Sequence, residues 1–217
     1  MESDLEREKQ VAAEAAALLV PAGATVGLGT GSTVRYLLPA LGARQLDLMC
    51  VATSPATEAL AGASGLRVIP FEGIDKLDVA IDGADQVDPA GWLVKGGGGA
   101  HTREKVVAAA ADRFVVIVSS NKMVRALRPP VPLELLAFGL PATLRALSQV
   151  QLRPGAPPTP DGGVLADYVG AVEDPAELAA QLAGIPGVVS HGLFPPTMVW
   201  QVMIGRGRAI EIVRPGA

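Results

Sequence analysis

Residues 79–105 read VAIDGADQVDPAGWLVKGGGGAHTREK, and the reading of this stretch decides the reading of the chain. Its first residues close the run LDVAID, short, apolar and bounded by Gly83, which predicts a buried strand whose last side chain, Asp82, emerges where a sheet ends. Asp85 follows within the same turn. A second apolar run, WLV, predicts another strand that delivers Lys95, and glycines 96–99 follow it. Glycine permits backbone angles and close approaches that any side chain forbids, so the N–H groups of Gly96, Gly97 and Gly98 are free to face an anion. Thr102 is read as the N-cap of a helix over REKVVAAAA, which puts Glu104 in its first turn near the positive end of the helix dipole. DGAD by itself is an ordinary turn, and a glycine run by itself is an ordinary loop. A lysine before the glycines and a carboxylate after them are what a bare turn does not need. Together they set an acid, a base and a fixed cation around a backbone too small to obstruct a ligand.

Upstream, an alternation of the same kind appears. Residues 5–20 have a helical apolar stripe of Leu5, Val11, Ala12, Ala15, Leu18 and Leu19, ended by Pro21 and Gly23; Lys9 lies on this helix, where by itself it reads as a solvated charge. Residues 24–28 then form a strand that turns through GTGSTV into the helix VRYLLPAL. Free N–H groups at a helix start favour an anion, and Thr30, Ser32 and Thr33 add hydroxyls beside Gly29 and Gly31. The turn lacks the lysine of a P-loop, and it breaks the GxGxxG dinucleotide fingerprint at Ser32. A terminal phosphate on a small molecule suits it better than a dinucleotide. A second hydroxyl turn at Thr53 and Ser54 precedes the next helix, and RFVVIVSS adds a further strand. Strands alternating with helices predict an α/β fold: a Rossmann-like, parallel-rich sheet with helices on both faces. Ligands bind such sheets beyond the carboxyl ends of the strands, so GTGST, ATS, DGAD and KGGGG are all expected at one crevice.

The texture changes near Leu127. After RPPVPLEL the elements read strand, helix, strand, strand, helix, strand, the order of a split βαβ, ferredoxin-like unit. The expected organisation is a catalytic α/β domain from residues 1–126 with 199–217, and a smaller α+β domain from residues 127–198.

Composition narrows the partners. With 217 residues, 49% of them hydrophobic, the chain can bury one large core or two small ones. A net charge of -4 with scattered basic residues leaves no electrostatic footprint for nucleic acid. No apolar run approaches the roughly 20 residues a bilayer needs, and residues 1–9 mix charges unlike a signal peptide, so no membrane partner is expected and the cytoplasm is the expected compartment. Cys50, the single cysteine, lies in an apolar run and reads as a buried, inert thiol. His191 reads as structural, while His101 is placed to touch a ligand. No His, Cys and carboxylate cluster has the spacing of a metal site.

At this point GLGTGSTV (27–34), ATSPATEALA (52–61), DGADQVD (82–88), KGGGGAHTREK (95–105) and IPGVVSHGLF (185–194) resemble, in order and over nearly the whole chain, the A-type ribose-5-phosphate isomerase family. The resemblance implies cofactor-free interconversion of ribose 5-phosphate and ribulose 5-phosphate in the pentose phosphate pathway, by a homodimer or homotetramer. It implies Glu104 as the catalytic base, with Asp82, Asp85 and Lys95 in the active-site set. It also implies Thr30, Ser32 and Thr33 as the substrate- and phosphate-binding turn, with Lys9 near the phosphate. His101 departs from a commonly apolar position, and PPTMVWQV lacks an acidic residue found in the family. Which of Asp82 and Asp85 assists ring opening stays open. Two rivals follow from the same features: a sugar-phosphate sensor, which needs an output module that no segment here supplies, and a CoA-transferase-like enzyme with a covalently trapped glutamate.

Overall fold

The computed structural model describes residues 2–215. In chain order the first half consists of α1 (Glu2–Ala17), β1 (Thr25–Leu28), α2 (Val34–Gly42), β2 (Met49–Ala52), α3 (Pro55–Ala63), β3 (Arg67–Val68) and β4 (Val79–Asp82). Two short strands, β5 (Gln86–Val87) and β6 (Leu93–Val94), lead to α4 (His101–Ala109) and β7 (Phe114–Ser119). Next come β8 (Val131–Leu135), α5 (Leu140–Ala146), β9 (Val150–Leu152), β10 (Val164–Tyr168), α6 (Pro175–Ala183) and β11 (Val188–His191). The chain closes with β12 (Leu193–Phe194), β13 (Gln201–Arg206) and β14 (Ala209–Val213).

Seven strands form the main sheet in the order β14-β13-β7-β4-β1-β2-β3, parallel except for the β13–β14 hairpin at one edge. Its central strands are buried on both faces and therefore read as unbroken apolar runs. Along β7 the alternation is visible in three dimensions: Val115 and Ile117 pack with α1 and α2, while Val116 and Val118 face the side covered by α4. The second sheet, β11-β8-β10-β9, is antiparallel throughout and has the ferredoxin-like order, with α5 and α6 packed on it around Leu133, Leu135, Leu178 and Leu182.

Three expectations change. The stripe of α1 is made of Ala12, Ala13, Ala16 and Ala17 rather than of its larger residues, and Leu18 is 72% exposed. Close approach favours the small side chains: a Cβ on Gly205 of β13 would lie 2.1 Å from the Glu8 carbonyl oxygen of α1. The strand that delivers Lys95 is not part of the main sheet, since β6 pairs antiparallel with β5 and β12 in a separate three-stranded sheet. Thr102 is not an N-cap. The helix begins two residues earlier than that, at His101 behind Ala100, and the Thr102 hydroxyl donates instead to the buried Glu134 carboxylate of β8, which also accepts from Thr159 at 2.6 Å. Cys50 is fully buried, and burial pushes its thiol up to about 11, far from a nucleophile's range. None of the described helices is long and apolar enough to cross a membrane.

Candidate active site

The side chain of Asp82 leaves the carboxyl end of β4 and meets Lys95 from the other sheet, with Nζ 2.9 Å from Oδ2. The same ammonium lies 3.1 Å from Glu104 Oε2 and donates to the Gly83 carbonyl at 2.6 Å. All three side chains are 5% exposed or less. Asp82 also ties this cluster to the first turn, because Oδ1 accepts from the N–H groups of Thr30 (3.1 Å) and Gly83 (2.7 Å). Gly29 is needed for that approach: a Cβ there would lie 1.9 Å from the Asp82 carboxyl carbon.

Two carboxylates and one ammonium out of water cannot all stay charged at ordinary cost. Burial, then the neighbouring Asp82 charge, pushes Glu104 up to about 8 against the pull of Lys95. Asp82 is raised as well, chiefly by burial, with Lys95 opposing. Burial works to discharge Lys95, but Asp82 and Glu104 outweigh it and hold the ammonium well above the ordinary lysine value. The carboxylates therefore titrate as a pair beside a permanent cation, with a proton available near neutrality. Beyond the Lys95 ammonium, Glu104 Oε2 has no polar partner among the described residues, which leaves it acceptor capacity at the cavity.

The turn of residues 30–33 forms the opposite wall of this cavity. Among the described residues, the N–H groups of Gly31, Ser32 and Thr33 have no partner, and Thr33 makes no side-chain cap for α2, so the helix start is open to an anion. The Thr30 hydroxyl is committed elsewhere, to Thr53 (2.9 Å), Ser54 (2.8 Å) and Thr57 (3.0 Å), and it fastens the first hydroxyl turn to the second. Asp85 and glycines 96–98 line the cavity from the β6 side.

Lys9 does not line this cavity. Glu6, one turn earlier on α1, takes its ammonium at 2.6 Å while also accepting from Arg35 and Tyr36. Besides Lys95, the lysine that lines it is Lys122, in the turn after β7. Sequence carried a signal for it, a basic residue just beyond the carboxyl end of a predicted parallel strand. His101 is fully buried against Gly96, and neither ring nitrogen has a hydrogen-bond partner. Burial, with the charges of Lys105 and Arg153, pushes it down to about 3 and keeps it neutral. Among the described residues no group of three or more His, Cys, Asp or Glu is arranged to hold a metal ion.

An unpartnered buried histidine has a measurable consequence. The unfolded chain takes up a proton below about pH 6.5 that the folded one refuses, so its stability falls as pH drops from there toward 3. His101→Leu removes both the proton linkage and the unpaired nitrogens, and is expected to raise Tm by an amount that grows between pH 7 and pH 4.5. Thermal unfolding at both values checks this; an equal or lower Tm at the acid end counts against it.

Residues 49–208 match the model of the family described as ribose 5-phosphate isomerase A (phosphoriboisomerase A). The chain belongs to that family. Ribose-5-phosphate isomerase A of Roseiflexus sp. (strain RS-1) is 42% identical over 233 residues, covering 100% of this chain and 99% of the relative. The crystal structure of ribose 5 phosphate isomerase A from Neisseria gonorrhoeae superposes with a TM-score of 0.91 at 31% identity, covering 98% of each chain. A D-ribose-5-phosphate isomerase in complex with phospho-erythronic acid superposes with a TM-score of 0.88 at 31% identity, covering 95% of this chain and 97% of the other.

Proposed function

We propose that this chain interconverts D-ribose 5-phosphate and D-ribulose 5-phosphate by proton transfer through an enediolate, with Glu104 as the base. The observation that carries this reading is a buried ammonium held between two carboxylates at one end of a cavity whose other end is an open helix start. The phosphate sits on the N–H groups of residues 31–33, with Ser32, Thr33 and Lys122 beside it, which leaves C1 and C2 next to Glu104. Asp82 or Asp85 takes the O1 hydroxyl proton while the C1–O4 bond of the ring breaks and O4 gains a proton. Glu104 then removes the proton on C2 as the C1 carbonyl oxygen becomes an oxyanion, which Lys95 and the Gly98 N–H stabilise; the Gly97 N–H is taken by Asp85 and the Gly99 N–H by the Gly96 carbonyl. Returning that proton to C1, as the O2 hydroxyl proton passes to O1, completes the ketose. Glu104 suits the task because its environment puts its proton affinity near the working pH.

A coupled assay for ribulose 5-phosphate formation, without added metal or nucleotide, tests the reading, with arabinose 5-phosphate as the comparison sugar. Absence of turnover on ribose 5-phosphate removes the proposal. Phospho-erythronic acid, present in the related crystal structure, carries a carboxylate where the enediolate oxygens form, and is expected to compete with substrate. Lys122→Ala is expected to raise KM for ribose 5-phosphate roughly 10-fold or more while leaving kcat within a few-fold, since a hydrogen bond to a charged group is worth about 1.5–3 kcal/mol. An unchanged KM, with unchanged inhibition by inorganic phosphate, places the phosphate away from Lys122. Assembly as a homodimer or homotetramer in the cytoplasm belongs to the same proposal, and light scattering of the purified chain checks its oligomeric part.

A further inference from the structure

Lys95 and glycines 96–99 follow β6, which lies outside the seven-stranded sheet, so no strand of that sheet pairs with the strand that delivers the glycine loop. A side chain from the four-stranded sheet reaches it instead. Arg153, just past β9, donates from Nη1 to the carbonyl oxygens of Gly96 and Gly97, each at 3.1 Å. Its Nε and Nη2 engage the Asp167 carboxylate of β10 at 2.9 and 2.7 Å. The guanidinium therefore spans two directions at once, held by an acid on one side and holding two consecutive peptides on the other. A lysine has no fork with which to do both.

The two pinned carbonyls decide where the next N–H groups point. In a trans peptide the C=O and the following N–H are opposed. Holding the Gly96 carbonyl turns the Gly97 N–H away from Arg153, where it meets Asp85 Oδ2 at 2.9 Å. Holding the Gly97 carbonyl does the same for the Gly98 N–H, which has no partner among the described residues and belongs to the residue that lines the cavity with Lys95 and Glu104. Successive N–H groups aimed to one side make an anion-binding concavity. The Gly99 N–H also donates to the Gly96 carbonyl, at 3.0 Å, but among the described residues Arg153 alone holds the Gly97 carbonyl, and glycines lack the stiffness to fix that peptide themselves.

We propose that Arg153 is a positioning residue for the isomerisation: its fork fixes the glycine loop so that the Gly98 N–H is presented, already oriented, to the oxyanion that develops on the sugar. The four-stranded sheet thereby sets part of the geometry of a site whose reacting side chains all lie outside it. This rests on the isomerase reading above and adds a residue to it.

Arg153→Ala and Arg153→Lys test the proposal. Losing one oriented oxyanion donor commonly costs roughly 100- to 1,000-fold in kcat, and an untethered loop that still samples the right geometry should lose somewhat less, about 30- to 100-fold. The expected pattern is that loss in kcat for both variants, with KM and inhibition by inorganic phosphate within about 3-fold of wild type, because donors realised only in the transition state leave ground-state binding alone. Phospho-erythronic acid, whose charge mimics the enediolate, should weaken in parallel with kcat. Wild-type kcat in Arg153→Ala overturns the idea. So does a joint fall of kcat, phosphate affinity and Tm, which marks general loosening. Amide NMR separates this claim from the reaction assigned above: the Gly97 and Gly98 N–H signals must move in Arg153→Ala whether or not wild type isomerises ribose 5-phosphate, and unmoved signals sink the positioning role alone.

Discussion

Glu104→Gln is expected to lower kcat by roughly 100- to 10,000-fold, the usual contribution of a positioned general base, while the variant still binds a sugar phosphate. Glutamine keeps the shape of the side chain and its place in the first turn of α4 but cannot accept the C2 proton. The wild-type enzyme should show the titration of the base directly. Because burial and Asp82 push Glu104 up to about 8, kcat/KM should rise with pH through that region rather than through the ordinary carboxylate range. Stability should move the opposite way. Between the ordinary value of 4.5 and about 8 the folded protein keeps a proton that the unfolded chain has released, so the stabilisation is complete below 4.5 and is lost as pH rises through 8. Glutamine never ionises, so Glu104→Gln should gain on wild type in Tm as pH rises from 4.5 to about 8, and the margin should level off above that. A purified variant with full activity refutes the assignment, and a rate limb centred below pH 6 refutes the account of its environment.

How much of this was legible beforehand depended on whether the deciding contact was local. The β1–α2–β2–α3 alternation could be read because its period, its glycine turn and its second hydroxyl turn at Thr53 and Ser54 are local signals; that Ser54 caps α3, accepting from the Thr57 N–H at 3.1 Å, is what the structure adds. The ferredoxin-like order was legible for the same reason. Strand partners of β6 were not, because a two-residue strand carries no mark of the sheet it joins. The buried face of α1 escaped a reading based on bulk, since the tight approach of Gly205 rewards alanine over leucine. The Thr102 hydroxyl was assigned to its own helix end, yet a carboxylate 32 residues further along captured it. Asp82, Lys95 and Glu104 come together as the strand-end rule suggested, although Lys95 arrives from a different sheet. The family resemblance pointed to Lys9, and an ion pair with Glu6 one turn away holds it, while Lys122 lines the cavity.

Lys95→Met is expected to cost both activity and stability, and the pH dependence of the two losses identifies what the ammonium does. Methionine replaces most of the stem's volume beside Phe194 but leaves Asp82 and Glu104 buried with no cation between them. Removing one partner from a buried ion pair typically costs about 3–5 kcal/mol, because the remaining charge is neither solvated nor balanced. Here two carboxylates remain, and each raises the proton affinity of the other. They should escape the penalty by holding protons, so the deficit against wild type should be largest above pH 8 and should shrink toward pH 5. The same protonation disarms the base, so the rising limb of kcat/KM should move to higher pH. Even on its plateau kcat should remain roughly 100-fold low or worse for want of a cation beside the oxyanion. Denaturant unfolding at pH 5, 7 and 9 together with the pH–rate profile measures both effects. A stability deficit that is the same at all three pH values means that Lys95 contributes packing alone, and the buried charge balance on which the proposed proton transfer depends is then absent.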